Sequence, residues 1–262
     1  MKRLFLLLFI LNIVALGSLD AQERLVFADQ TAEGFTVDIL GHIYCWKGSE
    51  LVKYNLSGER TLQHSAPLLG EIASTDASIP SRVQVFYPSS GIIQILDNNL
   101  VPVSGDIDLT GNNLTTITAT AMTSTNNIVL FDKANQELLL ADLDLNIQNR
   151  TRINLPEDID ASRIAIIPEH NILLVDTTEG IYWFDAFGTF LHKMPLPGIC
   201  DVQTIGNDLY YLKDNTIFQY SRQRMEVRTI YEAQTIKVKE FRLSGNRLHL
   251  LDTEYKLYTV NL

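Results

Sequence analysis

GFTVDILGHIYCWKGSELVKYNLSGERT, residues 34 to 61, alternates apolar and polar residues and is cut at short intervals by LGH, KGSE and LSGE. Short segments rich in Val, Ile, Tyr, Phe and Thr, bounded by Gly, Asn, Ser and Asp, are the pattern of β-strands joined by tight turns. With its continuation the stretch divides into GFTVDILG, HIYCWKG, ELVKYNL and RTLQHSA, four strands in one unit.

The unit recurs. Ile43, Val85, Ile128, Leu173, Leu209 and Leu248 each open the apolar part of a second strand, and their separations of 36 to 45 residues match one four-stranded sheet per repeat. The units predicted are about 34–66, 70–109, 115–156, 161–196, 199–233 and 238–262. Runs such as IVLF, ILLV and LYYL are continuous rather than alternating, as strands with a packed neighbour on both faces must be. Four-stranded antiparallel sheets stacked around an axis form a β-propeller, here of six blades. A two-layer sandwich would need about twice the usual strand number in one domain, and a solenoid would show shorter periods with caps.

The sixth unit stops after three strands. ERLVFAD, residues 23 to 29, is strand-like and precedes the first complete unit. It is predicted to supply the missing strand, with residues 24–29 in blade 6 and Leu25, Val26 and Phe27 beside YKLYTVNL.

Residues 1–21 read as a secretory signal peptide. Lys2 and Arg3 precede the apolar run of positions 4 to 17, with cleavage expected after Ala21 or, alternatively, Gly17. The run is shorter than the roughly 20 residues of a spanning helix. An uncleaved anchor is the competing reading. The expected mature protein is a single domain, residues 22–262, exported to the periplasm or secreted, and a monomer or small assembly. The full chain has a formal net charge of −10, and removal of Lys2, Arg3 and Asp20 makes it one more negative, so the surface should repel phosphate backbones, which disfavours nucleic acid as a partner. Cys45 and Cys200 fall in blades that do not touch, so both are expected free and mostly buried, with no disulfide.

The repeats resemble the NHL and SMP-30 type of six-bladed propeller. Gly34, Val37, Asp38, Gly41, Ile43 and Tyr44 carry the match in unit one, with Leu51, Tyr54 and Gly58 after them. Leu174, Val175, Asp176, Ile181, Trp183, Phe184, Asp185 and Gly188 carry it in unit four. The leader ending in DAQ is similar to those of exported Bacteroidota proteins. The SMP-30-like lactonases hold a divalent metal at the channel mouth through a glutamate at the start of the first blade, and by resemblance that residue is Glu33. Where the family's asparagine ligand should stand, this chain has Ser162 and Arg163, so no metal site is assigned and Glu33 reads as an exposed turn residue.

No nucleophile elbow, phosphate loop or dinucleotide fingerprint is present, and no catalytic residue or cofactor is assigned. His42, His64, His170, His192 and His249 show no zinc-ligand spacing. His42 and His170 read as solvated turn residues, and His249 as a core histidine. Trp46 and Trp183, in corresponding strands, are expected to pack between blades; a glycan-binding module would need them exposed. Asp106 and Asp108 read as turn residues rather than calcium ligands, and Asp144 and Asn146, alternating along a strand end, as solvated. The threonines of LTTITATAMTSTNN, residues 114 to 127, are expected to face water in the channel. The reading these observations favour is a non-catalytic propeller that binds a protein partner in envelope assembly or secretion; the alternatives are a metal-dependent lactonase or hydrolase, and a glycan-binding module.

Overall fold

The computed structural model describes residues 24–25, 31–156, 158–167 and 171–262. The expected signal peptide, the pairing of Val26 and Phe27, and His170 lie outside the described residues. Within them, no helix is long and apolar enough to cross a membrane.

The chain forms six four-stranded antiparallel sheets, in each of which the first strand is innermost. Blade 1 holds β2 (Gly34–Val37), β3 (Ile43–Lys47), β4 (Glu50–Tyr54) and β5 (Arg60–Ser65). Blade 2 holds β6 (Ser74–Asp76), β7 (Val83–Tyr87), β8 (Ile92–Leu96) and a two-residue β9 (Ile107–Asp108). Blade 3 runs from β10 (Ile117–Met122) through β11 (Ile128–Asp132) and β12 (Glu137–Ala141) to β13 (Ile147–Arg152). Blade 4 runs from β14 (Ala161–Ile167) through β15 (Asn171–Asp176) and β16 (Gly180–Asp185) to β17 (Phe190–Pro195). Blade 5 comprises β18 (Ile199–Ile205), β19 (Asp208–Lys213), β20 (Thr216–Ser221) and β21 (Glu226–Glu232).

Blade 6 takes β22 (Val238–Ser244), β23 (Arg247–Asp252) and β24 (Leu257–Asn261) from the C-terminus and β1 (Arg24–Leu25) from the N-terminal side. Arg24 pairs with Thr259 and Leu25 with Tyr258. The innermost strands touch in sequence from β2 to β22, and β22 touches β2 again. The ring is therefore closed by a strand from one end of the chain laid on the other.

The core is divided among the joints. Six apolar clusters fill the six spaces between neighbouring blades, from Trp46 against Val85 at the first joint to Phe35 against Leu251 at the last. Consecutive side chains of a strand point to opposite faces. Ile128 and Leu130 thus pack toward blade 2 while Val129 and Phe131 pack toward blade 4. That is the physical origin of the unbroken apolar runs. Trp46 and Trp183 are buried in two of these joints.

One turn design recurs. Asp38, Asn55, Asp97, Asp142, Asp185 and Asp252 each accept the backbone N–H groups of residues two and four places on. The residue three places on has positive φ: Gly41, Gly58 and Gly188 in three turns, Leu100, Leu145 and Tyr255 in the others. A side-chain oxygen that satisfies two amides lets five residues reverse the chain, which is how the opening stretch accommodates so many turns.

Candidate functional site

The innermost strands line a central channel with a cavity of about 550 Å³. Pairing with each second strand fixes their levels. Gly34, Ala119, Arg163, Asp201 and Glu240 face Trp46, Phe131, Val175, Leu212 and Leu251, and Ser74 faces Phe86, so these six stand at one height around the axis. Blades 1 to 3 contribute Gly, Ser and Ala there, and blades 4 to 6 contribute Arg, Asp and Glu. A bulge just before this level, at Thr118, Ser162, Cys200 and Lys239, recurs in four blades.

Asp201 is the hub of the charged half. Its side chain is fully buried. Oδ1 lies 2.6 Å from Arg163 Nη1 and accepts the Val202 N–H at 2.8 Å. Oδ2 accepts from Arg242 Nη1 at 2.6 Å and from the Phe241 N–H at 2.9 Å. One carboxylate thus ties blades 4, 5 and 6 together. Arg242 also donates to the Phe241 carbonyl and lies over the Phe35 ring of blade 1, with 5.6 Å from guanidinium carbon to ring centroid. Burial pulls the pKa of Arg242 down, and Asp201 opposes it.

Other polar groups of the inner strands also reach the next blade. Thr118 Oγ1 donates to the Ala161 carbonyl at 2.7 Å, and Thr204 Oγ1 to the Ile166 carbonyl at 2.6 Å. Thr120 Oγ1 accepts from Gln84 Nε2, and Gln203 exchanges two bonds with the Leu243 backbone. The inner edge of every blade presents unpaired backbone groups, and these side chains satisfy some of them. The expectation that the channel threonines face water is corrected for Thr118 and Thr120: Thr120 is buried, and both serve as stitches between blades.

Asp38 marks one mouth of the channel. Besides capping its turn it accepts from His42 Nδ1 at 2.9 Å and from the Tyr44 hydroxyl at 3.1 Å. His42 is therefore half-buried and held by a carboxylate rather than freely solvated, a correction to the sequence reading. Burial, reinforced by Asp38, raises the Tyr44 pKa. His64 bonds to Gln94, His192 stacks on Trp183 with 5.5 Å between centroids, and buried His249 bonds to Thr259 Oγ1 at 2.8 Å. None of these four lines the cavity.

Glu33 is exposed at the opposite mouth, where its Oε2 accepts the Gly48 N–H at 2.9 Å. Among the described residues no group of three or more His, Cys, Asp or Glu could hold a metal ion. With Glu33 committed to a turn and Arg163 beside Ser162, the residues do not fit the lactonase cation. Asp106 accepts from Gln94 while Asp108 closes a separate turn through Thr110 and Gly111, so the two do not converge on one centre. Cys45 is buried and Cys200 exposed, and neither is in a disulfide; the expectation that both are buried is corrected for Cys200, which stands at the bulge of β18. Burial raises both thiol pKa values, with Glu240 adding to the effect at Cys45 and Asp201 at Cys200.

The two faces of the disc differ. Turns from first to second strand and from third to fourth strand emerge on the same face, because alternate strands of an antiparallel sheet run in the same direction. On that face Ile39, Leu40, Leu56, Phe187 and Met225 are between 56% and 78% exposed, and Val101, Val103 and Ile205 are exposed on the same face. On the other face, among the described residues, the exposed large apolar side chains are Leu68 and Tyr255. No signal in the sequence pattern distinguishes the faces. The distinction requires knowing that residues 39, 56, 187 and 225 share one.

No protein-family model matches the chain, and no curated protein is detectably similar to it in sequence. Solved structures share its fold. Virginiamycin B lyase from Staphylococcus aureus, a catalytically inactive histidine-to-alanine variant with quinupristin, superposes with a TM-score of 0.63 at 13% identity, over 92% of this chain and 98% of that one. The WD40 domain of Neurospora crassa Pan2 superposes with a TM-score of 0.64 at 12% identity, over 90% of each chain. A streptogramin B lyase gives 0.59 at 12% identity, over 92% and 86%. The chain is a six-bladed β-propeller. At these identities the likeness extends to the fold and no further.

Proposed function

We propose that the protein is an exported, non-catalytic propeller of the NHL/SMP-30-like kind that docks a protein partner in envelope assembly or secretion. The partner meets the face carrying Ile39, Leu40, Leu56, Phe187 and Met225. The observation that carries this reading is the gathering of exposed apolar side chains on one face, where a rigid ring of blades presents loops. Large apolar side chains among polar turns are the composition of a docking surface's core and rim.

The lyases among the structural neighbours bring an enzymatic reading. One of those proteins is inactive when a histidine is replaced, whereas the described histidines of this chain, His42, His64, His192 and His249, do not line the channel cavity. The cavity-lining carboxylates Asp38 and Asp76, and Asp201 behind the lining, each accept backbone amides. Both observations favour binding over catalysis.

The test is a paired substitution on the apolar face, Leu40→Glu with Phe187→Glu, expressed in the native host beside the unaltered protein. Both residues are exposed, so the melting temperature should stay within a few degrees while a stable complex recovered by cross-linking is lost. An unchanged complex with both charges in place would overturn the assignment of this face.

A further inference from the structure

The channel cavity has a cationic wall whose counter-charges stand behind it. Arg163 and Arg242 line the cavity, and Asp201 and Glu240, the acids that hold them, do not. Arg242 is nine-tenths buried and spends Nη1 on Asp201 and the Phe241 carbonyl. Arg163 is the more open, with its side chain 28% exposed. Its Nη1 is anchored on Asp201, and its Nη2 comes only within 3.9 Å of Glu240 Oε2, beyond hydrogen-bonding reach.

Arg163 shares the cavity with Trp46, Ser74 and Ser162. Blade 1 stands three places round the ring, across the axis, and its residue at this height is Gly34, packed under the Trp46 indole. A Cβ there would lie 2.2 Å from Trp46 Cζ2, so the indole already covers the glycine and forms an apolar wall of the cavity. Ser74, small and polar, lines the same side.

The cations are concentrated on one side of the channel, and Asp38 and Asp76 stand elsewhere in the lining. Lys239 Nζ donates to the Glu33 carbonyl at 2.6 Å and lies 3.6 Å from Glu240 Oε1, so Asp201 and Glu240 are met by Arg163, Arg242 and Lys239. The other acids lining the cavity are Asp38 and Asp76. Both are satisfied: Asp38 by its turn amides, His42 and Tyr44, and Asp76 by the N–H groups of Ser78 and Met122. Their negative charge nevertheless disfavours a multiply charged anion.

We propose that the channel binds a small monocarboxylate, its charged end on Arg163 and its apolar part against Trp46. A guanidinium presents donors in a planar fork that matches one carboxylate, and confinement in the channel strengthens the pair relative to water. This site lies inside the ring and does not depend on the docking face proposed above.

Benzoate serves as the probe. The protein is titrated with sodium benzoate at constant ionic strength made up with sodium chloride, and the Arg163 Nε–H and Trp46 Nε1–H resonances are followed, the indole signal alone in the variants that lack Arg163. A saturable shift is expected with benzoate and none with chloride or inorganic phosphate in its place. Arg163→Gln should weaken binding at least tenfold, and Arg163→Lys should recover part of it. Ser162→Tyr places a ring in the cavity beside Arg163 from an exposed bulge position and breaks no bond of the cluster. It should also abolish the shift, and it decides the matter if Arg163→Gln does not fold. A resonance that benzoate leaves unmoved, an undiminished shift in the Ser162→Tyr protein, or tighter binding of phosphate would each overturn the proposal.

Discussion

Replacing Asp201 by alanine tests how the charged half of the channel is held together. The carboxylate is fully buried, lies 2.6 Å from one nitrogen of each of two arginines, and accepts two backbone N–H groups from blades 5 and 6. Its removal leaves Arg242, itself nine-tenths buried, without its carboxylate, and two amides without their acceptor. Breaking a buried ion pair on one side costs about 3–5 kcal/mol, and each orphaned amide adds to that without strict additivity. A loss of about 4 kcal/mol is expected, which for a domain of this size lowers the melting temperature by about 8–16 °C. Denaturant unfolding followed by tryptophan fluorescence suits the measurement, since Trp46 and Trp183 report on two different joints. Asp144→Ala, at an exposed turn, is the control and should stay within about 0.5 kcal/mol. Asp201→Leu combined with Arg242→Met should recover part of the loss, because an apolar pair does not strand a buried charge. A loss below about 1 kcal/mol for Asp201→Ala would refute the assignment of Asp201 as the hub.

Three further outcomes follow from the packing and protonation of the ring. Gly34→Ala drives a Cβ into the Trp46 ring and should cost about 1–3 kcal/mol, with Trp46→Phe in the same chain costing less than the two separate losses combined, as a double-mutant cycle would show. His249 has its pKa lowered to about 4 by burial, with Arg247 contributing, against about 6.5 in the unfolded chain. The unfolded state therefore takes up the proton first as pH falls, and stability drops by about 3 kcal/mol between pH 6.5 and 4 and levels off below; the difference between the native protein and His249→Gln across that window checks it. A chain beginning at residue 31 lacks the strand that pairs with Tyr258 and Thr259, so its melting temperature should fall by about 5 °C or more, and the bared edge of β24 should promote self-association visible in light scattering.

The architecture was legible because it is written in local chemistry. Turn residues at short intervals gave the strands, continuous runs such as Ile128 to Phe131 gave burial on both faces, and a three-strand last unit pointed to a borrowed fourth. The channel was less legible because its polar residues act across blades. Thr118 and Thr120 read as water-facing from sequence, since their partners, the Ala161 carbonyl and Gln84, are 43 and 36 residues away. Asp201, one residue beyond Cys200 in the innermost strand of unit five, carried no motif. Only the register, which sets it level with Arg163 and Glu240, shows what it does. The same holds for the faces: Ile39 and Phe187 are single exposed residues in sequence and neighbours in purpose only once the ring is closed.

Docking through the apolar face is tested most directly by photo-cross-linking in the native host. A photoreactive amino acid is placed at Leu40, Leu56 or Phe187 on one face and, separately, at Ala134, an exposed turn position on the other. Cross-links from Leu40, Leu56 and Phe187 to one common partner, with none from Ala134, are the predicted result. A partner captured from Ala134 while the three apolar positions stay silent would contradict it.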